Sequence, residues 1–476
     1  MRSPGFIGPS YELRSKAGEC QTCINIYPEI NELKTAKNGE IGSLIGTPGL
    51  TSRVVQATSP GRGVYKSSTG KLYHAAGNTI YSVTSAYATT ALSTTLQTAT
   101  GPLSWADNGT QMMITDGAHG YIVNMSTGVL AEIADADFEG FGQVTYQDGF
   151  FISRIPSSGR FQLSSLMDGA TWDALDFATA ETMADNLTGC LSDHRTLWLP
   201  GEETVEVWQN TGNGSMPFDR VPGASIEYGC ASGDTFLQVA NTVVWLGGGR
   251  GHGVVWSATG YEPQRISNYG VERALKSYGD LSTATAWTYA DAGHAFYALN
   301  VPGSLTTWVY DVATGQWHER RSLTSAGALG QHRATSHAFC FGKHFVDDYA
   351  TGNLYTLDDD AYSDNGSAII LERTSPHMAN GRDTLLFGSF RLDMETGVGL
   401  ASGQGSDPQA MLQYSDDGGN TWSDELWASI GKIGDRQAVV EWNRLGASNN
   451  RVWRVRISDP IKRVIFGADV TVAKGR

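Results

Sequence analysis

The sequence predicts an all-β protein: a β-propeller of six or seven blades, with an extended N-terminal arm and a C-terminal β-sandwich-like domain. Three observations support this prediction. Glycine accounts for 57 of 476 residues, about 12% against a usual value near 7%, which is typical of a chain with many turns. Short segments alternate apolar and polar residues with the period of two expected of strands. These segments recur in blocks of about 35 to 45 residues, the length of a propeller blade.

The N-terminal segment, residues 1–54, predicts an extended arm with short strands. It mixes polar and apolar residues and is broken repeatedly by glycine and proline, as at Gly8-Pro9 and Thr47-Pro48-Gly49. A propeller usually closes by pairing strands from its two ends, because an open ring would leave strand edges unpaired. We therefore predict that the arm before residue 60 supplies the closing strand.

The propeller is predicted over residues 55–365. Its first block places three short strands within residues 64–83, separated by the turns Ser68-Thr69-Gly70 and Gly77-Asn78. The clearest block covers residues 165–208 and combines hairpin turns with short strands. Within that block residues 177–187 predict one or two turns of helix, and residues 271–276 predict a second short helix further along the chain.

The C-terminal segment, residues 366–476, has longer strands and longer loops, which predict a separate β-sandwich-like domain. It contains a complete Asp box, a turn in which an aspartate accepts hydrogen bonds from backbone N–H groups while a tryptophan packs beneath. The residues of this box are Ser415, Asp417, Gly419, Thr421 and Trp422. A near copy, with its aspartate moved by one place, lies in the propeller at Asp168, Gly169 and Trp172. We interpret both as structural turns.

The charge and hydropathy of the chain argue against two kinds of partner. Its 49 acidic and 34 basic residues give a formal charge of −15. General affinity for DNA or for anionic membranes is not expected, because phosphate binding needs clustered cations. No apolar stretch approaches 18 residues and no signal-peptide pattern is present, so we predict neither membrane insertion nor export by the usual route.

The five cysteines predict free thiols rather than a disulfide framework, because they are odd in number and scattered along the chain. The pair Cys20-x-x-Cys23 supplies at most half of a zinc site, with no second pair and no suitably spaced histidines. We predict no metal and no cofactor.

No motif in the sequence predicts catalysis. The glycine-rich residues 247–253 lack the spacing of a phosphate-binding loop and lead into a strand, so we interpret them as a flexible or closely packed loop. The Asp boxes and Arg154-Ile155-Pro156 are similar to features of sialidases, whose arginine cluster binds a carboxylate. The only complete box lies outside the propeller, so a sialidase-like glycoside hydrolase is the least favoured alternative. We predict that the protein is not an enzyme.

A series of motifs resembles one family over nearly the whole chain. It opens with Phe6-Ile-Gly-Pro-Ser-Tyr11, Gln21-x-x-Ile24-Asn25-x-Tyr27-Pro28-Glu29 and Thr47-Pro-Gly-Leu-Thr51. It continues with Gly63-Val-Tyr65, Lys71-Leu-Tyr73, Asp168-Gly-x-Thr-Trp172, Phe177-x-x-Ala-Glu181, Gly201-x-x-Thr204-Val-Glu206-x-Trp208, Pro217-Phe218, Glu227-x-Gly229, Trp245-Leu246 and Arg265-Ile-Ser267. In order and spacing these motifs resemble the packaged-DNA stabilisation proteins, the tail hub or nozzle proteins of short-tailed bacteriophages.

The resemblance implies a structural component of the virion. It implies a homo-oligomeric ring, a hexamer in the family, that lies below the portal and its adaptor and closes the head after DNA packaging. The expected partners are other copies of the chain, the adaptor–portal complex, a tail needle, tailspike or tail fibre, and double-stranded DNA passing through the lumen. Assembly in the host cytoplasm is implied as well.

One strand of the C-terminal domain is a candidate interface. Residues 452–457 alternate so that Arg454 and Arg456 share one face, with Arg451, Lys462 and Arg463 nearby. A solvated face explains this pattern without any function. The sharper hypothesis is that the basic strand contacts an acidic neighbour in the tail.

A receptor-binding or glycan-binding tail propeller remains an alternative. It would need an exposed aromatic pocket on a propeller face, and five tryptophans are candidates for it: Trp198, Trp208, Trp245, Trp256 and Trp308. All five lie at period-two positions of predicted strands, which is typical of core residues.

Overall fold

A computed structural model gives the structure of the protein and describes residues 5–30, 42–56, 60–180, 182–214 and 216–474. These residues form a seven-bladed propeller and a β-sandwich, which confirms the predicted fold class and sets the number of blades at seven. Each blade contributes four antiparallel strands. The first strands of most neighbouring blades contact one another, so these strands surround the propeller axis.

The strands of the blades follow one another in chain order. Blade 1 contains Gly61–Lys66, Leu72–Ala76, Thr79–Val83 and Thr89–Ala91. Blade 2 contains Ser104–Asp107, Gln111–Thr115, Gly120–Asn124 and Val129–Glu132. Blade 3 contains Val144–Gln147, Phe150–Arg154, Arg160–Ser165 and Asp168–Thr179. Blade 4 contains Leu191–Asp193, Thr196–Pro200, Val205–Asn210 and Phe218–Arg220. Blade 5 contains Leu237–Val239, Thr242–Leu246, Val255–Thr259 and Glu262–Arg265. Blade 6 contains Thr285–Asp291, His294–Asn300, Thr307–Asp311 and Gln316–Leu323, extended by Leu329–Gln331.

Blade 7 closes the ring with a strand of the arm. Its strands His337–Cys340, Lys343–Val346 and Leu354–Asp358 are completed by Gly49–Val54. Leu50 lies opposite Leu357 and Val54 lies opposite Leu354 in this antiparallel pair. The arm therefore supplies the closing strand, as the sequence predicts.

The second strand of each blade is sandwiched between two neighbouring blades, and blade 5 illustrates the consequence. In Thr242–Leu246, Val243 and Trp245 pack with blade 4, whereas Val244 and Leu246 pack with blade 6. A strand buried on both faces needs an unbroken apolar run rather than alternation. This run of four buried apolar residues is therefore the local signature of a propeller core.

The sandwich consists of two sheets, and the arm contributes strands to both. The first sheet contains Leu371–Thr374, Asn450–Ile457, Gln409–Ser415 and Leu426–Ser429, with Met378–Ala379 at its side. The second contains Ile26–Ile30, Gly42–Gly46, Val464–Lys474, Leu385–Met394 and Val440–Asn443, with Ala447–Ser448 at its side. Two short pairs lie outside these sheets or at their edges: Tyr11–Glu12 with Cys20–Gln21, and Ser363–Asp364 with Ser367–Ala368.

A two-residue strand of the arm joins the propeller to the sandwich. This bridging strand, Cys23–Ile24, runs parallel to Gln316–Leu323 of blade 6 and antiparallel to Leu371–Thr374 of the sandwich. Blade 6 and the first sandwich sheet thereby form one continuous sheet of eleven strands. The two domains are linked by backbone hydrogen bonds and not only by side-chain packing.

The beginning of the arm is buried in the sandwich. Phe6 is fully buried in the sandwich core, where its ring meets Phe390 edge-on at 6.0 Å between centroids. The Arg373 guanidinium donates hydrogen bonds to the carbonyl oxygens of Phe6 at 2.7 Å, of Gly5 at 3.0 Å and of Thr22 at 3.1 Å. These bonds satisfy a buried cation with backbone acceptors and fix the path of the arm.

The predicted helices have different outcomes. An α-helix at Tyr269–Ser277 covers predicted residues 271–276, and the Asn268 side chain caps it by accepting a hydrogen bond from the Val271 N–H. The helix predicted over residues 177–187 is wrong for the part of this segment that the structure describes. Phe177 lies opposite Gln162 in the outer strand of blade 3, because strand pairing outweighs local propensity there. Glu181 lies outside the described residues.

Candidate functional site

The Asp box forms the turn that its sequence predicts. The Asp417 carboxylate accepts hydrogen bonds from the N–H groups of Asn420 at 3.0 Å and Thr421 at 2.9 Å. It also accepts hydrogen bonds from the hydroxyl groups of Thr421 at 2.6 Å and Ser415 at 2.7 Å. These bonds, above all that of the Thr421 hydroxyl, lower the pKa of Asp417 to about 2. The carboxylate acts as a structural acceptor within the turn.

The arm docks on this Asp-box turn, residues 415–422. Gly418 and Gly419 both have positive φ, at +74° and +86°, which favours glycine. A Cβ atom on Gly418 would come within 2.6 Å of Ala17 Cα, and one on Gly419 within 2.8 Å of Cys20 Sγ. Trp422 does not pack beneath the turn as expected; it is half-buried, and the Arg454 guanidinium lies 4.0 Å from its ring centroid.

The near copy of the Asp box fastens blade 3 to blade 2. Asp168 accepts hydrogen bonds from the Thr171 hydroxyl at 2.8 Å and from Gln111 Nε2 of blade 2 at 2.9 Å. Trp172 is buried under this turn and donates its indole N–H to the Gly169 carbonyl at 2.8 Å. Here the aspartate and the tryptophan both serve packing between blades.

Two of the five basic residues proposed for an interface are inside the sandwich. Arg451 is 2% exposed; it makes a bidentate ion pair with Asp416 at 2.6 and 2.7 Å and lies 4.0 Å from the ring centroid of Tyr414. Arg463 is also 2% exposed and donates to the Ile369 carbonyl at 3.0 Å, and burial lowers its pKa to about 10. Neither side chain can reach a partner, so the interface hypothesis narrows to the other three.

Those three residues already have partners within the chain. Arg454 donates to Gln413 Oε1 at 3.0 Å, besides its contact with Trp422. Arg456 lies 3.3 Å from Glu425 Oε1 and 3.5 Å from Glu372 Oε2. Lys462 forms an ion pair with Glu395 at 3.0 Å. The basic strand is thus largely neutralised by its own sheet, and ion pairs at exposed positions of this kind contribute little stability.

The glycine-rich loop is closely packed. It contains a short 3₁₀-helix at Gly249–Gly251. A Cβ atom on Gly248 would come within 2.7 Å of the Glu202 carbonyl oxygen, and one on Gly251 within 2.8 Å of Trp256 Nε1. The glycines are therefore explained by close approach to blade 4 and to Trp256.

The candidate tryptophans do not form an exposed aromatic pocket. Four of them are buried: Trp198, Trp208, Trp245 and Trp308. Trp256 is half-buried and stacks on Tyr228 with their centroids 4.1 Å apart. The alternation in the strands indicated core positions for all five tryptophans, and four of them occupy such positions.

A polar pocket that the sequence does not reveal opens on one face of the propeller. It lies among the turns of blades 2, 3 and 4 and the segment that leads into blade 5, and it has a volume of about 400 Å³. Its walls include Arg154, Thr115, Gln143 and Asp234. Gln143 Nε2 donates to Asp234 Oδ1 at 2.6 Å, and burial raises the pKa of Asp234. We refer to it as the Arg154 pocket. Only the Arg154-Ile155-Pro156 motif could have indicated it, since the other walls come from distant blades.

The five cysteines form no disulfide bond, and the described residues offer neither a metal cluster nor a membrane-spanning helix. All five cysteines are free and buried, and Cys20 Sγ lies 3.9 Å from His377 Nε2. Over the described ranges, no group of three or more His, Cys, Asp or Glu side chains is placed to hold a metal ion. In the same part of the chain no helix has the length and apolarity that a membrane crossing requires.

The structure defines the chain as a seven-bladed β-propeller protein with a fused β-sandwich, joined by an N-terminal arm. Two family models match the sequence: "Bacteriophage P22 Gp10, beta-propeller" over residues 20–362 and "Bacteriophage P22 Gp10, beta-sandwich" over residues 371–473. The chain belongs to this family, the phage DNA-stabilisation or tail hub proteins. It is a structural protein of a bacteriophage and a component of the virion.

Among solved structures, two distant likenesses share part of the fold. Virginiamycin B lyase from Staphylococcus aureus is 10% identical, with 64% of this chain and 97% of the lyase covered and a TM-score of 0.41. PorZ, a surface component of the type-IX secretion system of Porphyromonas gingivalis, is 10% identical, with 72% of this chain and 44% of PorZ covered and a TM-score of 0.39. Neither bears on the function of the chain. No curated protein sequence matches it.

Proposed function

We propose that the chain forms the tail hub or nozzle of a short-tailed phage. Copies of it form a hexameric ring below the adaptor and portal, close the head after DNA packaging, and surround the channel through which DNA leaves. The subunits assemble in the host cytoplasm and have no catalytic activity. Membership of the Gp10 family over both domains supports this proposal.

The observation that carries the channel part of the proposal is the distribution of charge. Residues 49–365 hold 31 of the 49 acidic residues but only 16 of the 34 basic ones, so this segment accounts for the whole formal charge of −15. The arm and the sandwich are nearly neutral by comparison. An acidic surface repels the DNA backbone, and a polyanion moves along such a surface without sticking to it. We therefore assign the side that faces DNA to the propeller.

The bridging strand Cys23–Ile24 supports a mechanical role for the subunit. A protein that keeps a filled head closed must transmit force from the part that holds the adaptor to the part that closes the channel. The continuous sheet through Cys23–Ile24 joins blade 6 and the sandwich by backbone hydrogen bonds. Such bonds have narrow ranges of distance and angle, so they fix the sandwich relative to blade 6 and the subunit is suited to act as one unit.

The partners follow from this placement. They are neighbouring copies in the ring, the adaptor–portal complex above it, a tail needle, tailspike or tail fibre below it, and double-stranded DNA in transit. Within the sandwich, Arg454, Arg456 and Lys462 are the cations that we propose for contact with an acidic neighbour. Their present partners are half-exposed or hydrogen-bonded at the surface, so an incoming carboxylate can exchange with them.

The mass of the purified protein, measured by light scattering alone and with the adaptor ring of the same phage, tests this proposal. We expect monomers in isolation and a complex with about six copies per adaptor ring, the number that the proposed hexameric ring, closed by cyclic symmetry, requires. Failure to bind the adaptor, together with binding to host cells, would contradict the hub assignment and support a receptor-binding propeller.

A further inference from the structure

A protruding bulge lies at the outer edge of blade 3. The outermost strand of this blade, Asp168–Thr179, pairs with the neighbouring strand through Trp172 and Phe177, but the ladder skips residues 173–176 between them. The outermost strand of a blade is a sheet edge, and a bulge at an edge turns its side chains out of the sheet. Residues 173–176 therefore project from the propeller, and we refer to them as the blade 3 bulge.

The blade 3 bulge combines one exposed apolar side chain with two carboxylates. Leu175 is 82% exposed, and Asp173 and Asp176 lie on either side of it in the chain. Asp173 accepts a hydrogen bond from the Leu175 N–H at 2.9 Å, but among the described residues neither carboxylate has a cation within ion-pair distance. Partial burial and the charge of Asp173 raise the pKa of Asp176. The bulge is thus an acidic projection with an apolar tip and no cation of its own.

The outer face of the first sandwich sheet carries the opposite charge. Arg454 is half-buried, donates to Gln413 Oε1 at 3.0 Å and lies 4.0 Å from the centroid of the Trp422 ring. Within the described ranges no carboxylate is at ion-pair distance from this guanidinium, whereas the neighbouring Arg456 has two such partners. A cation held only by a neutral amide and an aromatic ring remains able to bind a carboxylate.

An exposed tryptophan lies on the same face as these arginines. Trp427, which is 60% exposed, belongs to the edge strand Leu426–Ser429 and lies opposite Met411. Met411 in turn lies opposite Arg456, so Trp427 and Arg456 share one face of the sheet. Tryptophan and arginine are the side chains that contribute most binding energy in protein interfaces. A single exposed leucine or tryptophan needs no explanation, but here each is flanked by the charges that the other lacks.

The two surfaces lie on different sides of the subunit. The first sandwich sheet continues blade 6 outward through the bridging strand, whereas the bulge lies on blade 3, nearly across the ring of seven blades. The bulge of one copy is therefore placed to meet the sandwich of another. A contact between two different surfaces of the same chain is heterologous, and its repetition by a closing rotation gives a ring.

We propose that the blade 3 bulge of one copy docks on the outer face of the first sandwich sheet of the next copy. Leu175 packs against Trp427 at the centre, and the bulge carboxylates pair with Arg454 and Arg456 around it, which gives an apolar centre with a charged rim. The complementary charges select the partner and fix its orientation. This inference rests on the proposed function, because it identifies the acidic neighbour of the basic strand as another subunit of the ring.

Charge exchange tests the contact in assembly with the adaptor ring, followed by light scattering. Asp173→Lys, Asp176→Lys should reduce ring formation at least about ten-fold, and so should Arg454→Glu, Arg456→Glu, because each places like charges across the contact. The chain with all four substitutions should form rings again. An equal mixture of the two double variants should do the same, since alternating copies restore opposite charges at every junction. If neither the chain nor the mixture regains rings, the proposal is overturned and the basic strand contacts a different protein.

A matched control separates the contact from the net charge of the chain. Glu227→Lys, Glu262→Lys makes the same change of charge at two exposed positions near blade 5. We expect this variant to form rings like the wild type, and we expect the same two substitutions not to rescue Arg454→Glu, Arg456→Glu. Rescue by this pair would show that only net charge matters and would overturn the proposal.

Chemical cross-linking separates the contact from the hub assignment. Chains with Ala174→Cys and chains with Ser429→Cys keep Leu175 and Trp427, and they are mixed and treated with a short bis-maleimide with and without the adaptor. The native cysteines are all buried, so we expect one product that joins positions 174 and 429 of different copies. Val129→Cys, an exposed position on the outermost strand of blade 2, replaces Ala174→Cys as the control and should give no product.

The outcomes of cross-linking distinguish the two proposals. Rings on the adaptor without the 174–429 product overturn the contact and leave the hub function standing. The 174–429 product in concentrated protein that does not bind the adaptor supports the contact and overturns the hub assignment. Absence of both rings and product overturns both.

Discussion

Gly419 of the Asp-box turn lies against Cys20 of the arm so closely that a Cβ atom on the glycine would approach the Cys20 sulfur to 2.8 Å. Gly418 makes the same kind of room for Ala17. The turn is thus shaped around another part of its own chain and not around a ligand. The Asp-box turn of the sandwich therefore holds the N-terminal arm in place.

We expect Gly419→Ala to lower the free energy of unfolding by about 3 kcal/mol. About 1 to 2 kcal/mol comes from the positive φ of this residue, and the remainder from crowding against Cys20. Urea unfolding measures the change. Labelling of Cys20 with a thiol reagent, followed by mass spectrometry of its peptide, should become faster because the arm is displaced.

Gly403→Ala is the matched control for this prediction. Gly403 also has a positive φ, +76°, but a Cβ atom there would meet nothing within 4 Å. We expect about 1 to 2 kcal/mol of destabilisation from the backbone alone and no change in Cys20 labelling. Equal losses in the two variants would show that the contact with the arm contributes nothing.

Asn25→Ala should uncouple the propeller from the sandwich. The buried Asn25 side chain donates from Nδ2 to the carbonyls of Arg321 and Ile370, both at 2.9 Å, and its Oδ1 accepts the Arg321 N–H at 2.9 Å. Removing it leaves backbone groups of blade 6 and of the sandwich edge without partners, which costs about 3 kcal/mol or more. Calorimetry is expected to resolve two transitions in the variant where the wild type has one.

Asn365→Ala controls for backbone strain in that experiment. Asn365 has a similar positive φ, 49° against 55° for Asn25, but its side chain is exposed. Loss of the Asn365 side chain should leave a single calorimetric unfolding transition. If Asn25→Ala also keeps a single transition, the side-chain bridge is not what couples the domains.

Asp364→Asn should stabilise the protein at high pH and have little effect at low pH. Burial raises the pKa of Asp364 to about 6, whereas the unfolded chain has a value near 3.9. Folding therefore takes up a proton between these values, and the wild type gains stability as the pH falls from about 8 to about 4. The asparagine variant lacks this gain. Its free energy of unfolding therefore exceeds that of the wild type by up to about 3 kcal/mol at pH 8, and the difference vanishes near pH 4.

Urea unfolding of wild type and Asp364→Asn at several pH values measures that difference. The Ser322 hydroxyl donates to Asp364 Oδ2 at 2.7 Å, and an asparagine oxygen can accept the same bond. A difference in unfolding free energy that stays constant across the pH range would contradict the assignment to Asp364.

The double variant Arg454→Glu, Arg456→Glu should fold but fail to assemble. Near-ultraviolet circular dichroism is expected to remain native, because both side chains lie at the surface of the sheet with partners that can turn to solvent. Light scattering with the adaptor should then show free protein. Arg454→Gln, Arg456→Gln, which removes charge without reversing it, should retain partial assembly. Normal assembly of the charge-reversed variant would rule out the basic strand as an interface.

The local sequence predicts the blades well and the joints between domains poorly. Segments such as Thr242–Leu246 are apolar throughout because neighbouring blades bury both faces, and this pattern can be recognised without a structure. The bridging strand Cys23–Ile24 is too short to show any period. Its partners, Glu319 and Arg373, lie hundreds of residues away, so only the folded chain identifies them.

The candidate sites show the same limit. Alternation in Asn450–Ile457 correctly places Arg454 and Arg456 on the less buried face. It cannot show that Arg451 at the start of that strand is buried, because its burial depends on Asp416 and on the ring of Tyr414, which belong to another strand and its turn. Sequence analysis does not reveal the shape of the Arg154 pocket, because turns from several blades, distant in the chain, form its walls.

Closure of the propeller by Gly49–Val54, and of the sandwich by Gly42–Gly46, also has a consequence for synthesis on the ribosome. These strands are made early, yet their partners Leu354–Asp358 and Val464–Lys474 are made late. Gly42–Gly46 can pair early with Ile26–Ile30, but both closing strands wait for these late partners, so folding depends on long-range contacts and is slow. A product that ends before Leu354 lacks the late partners of both strands, whereas one that ends between Asp358 and Val464 retains the strand that closes the propeller and lacks the one that closes the sandwich.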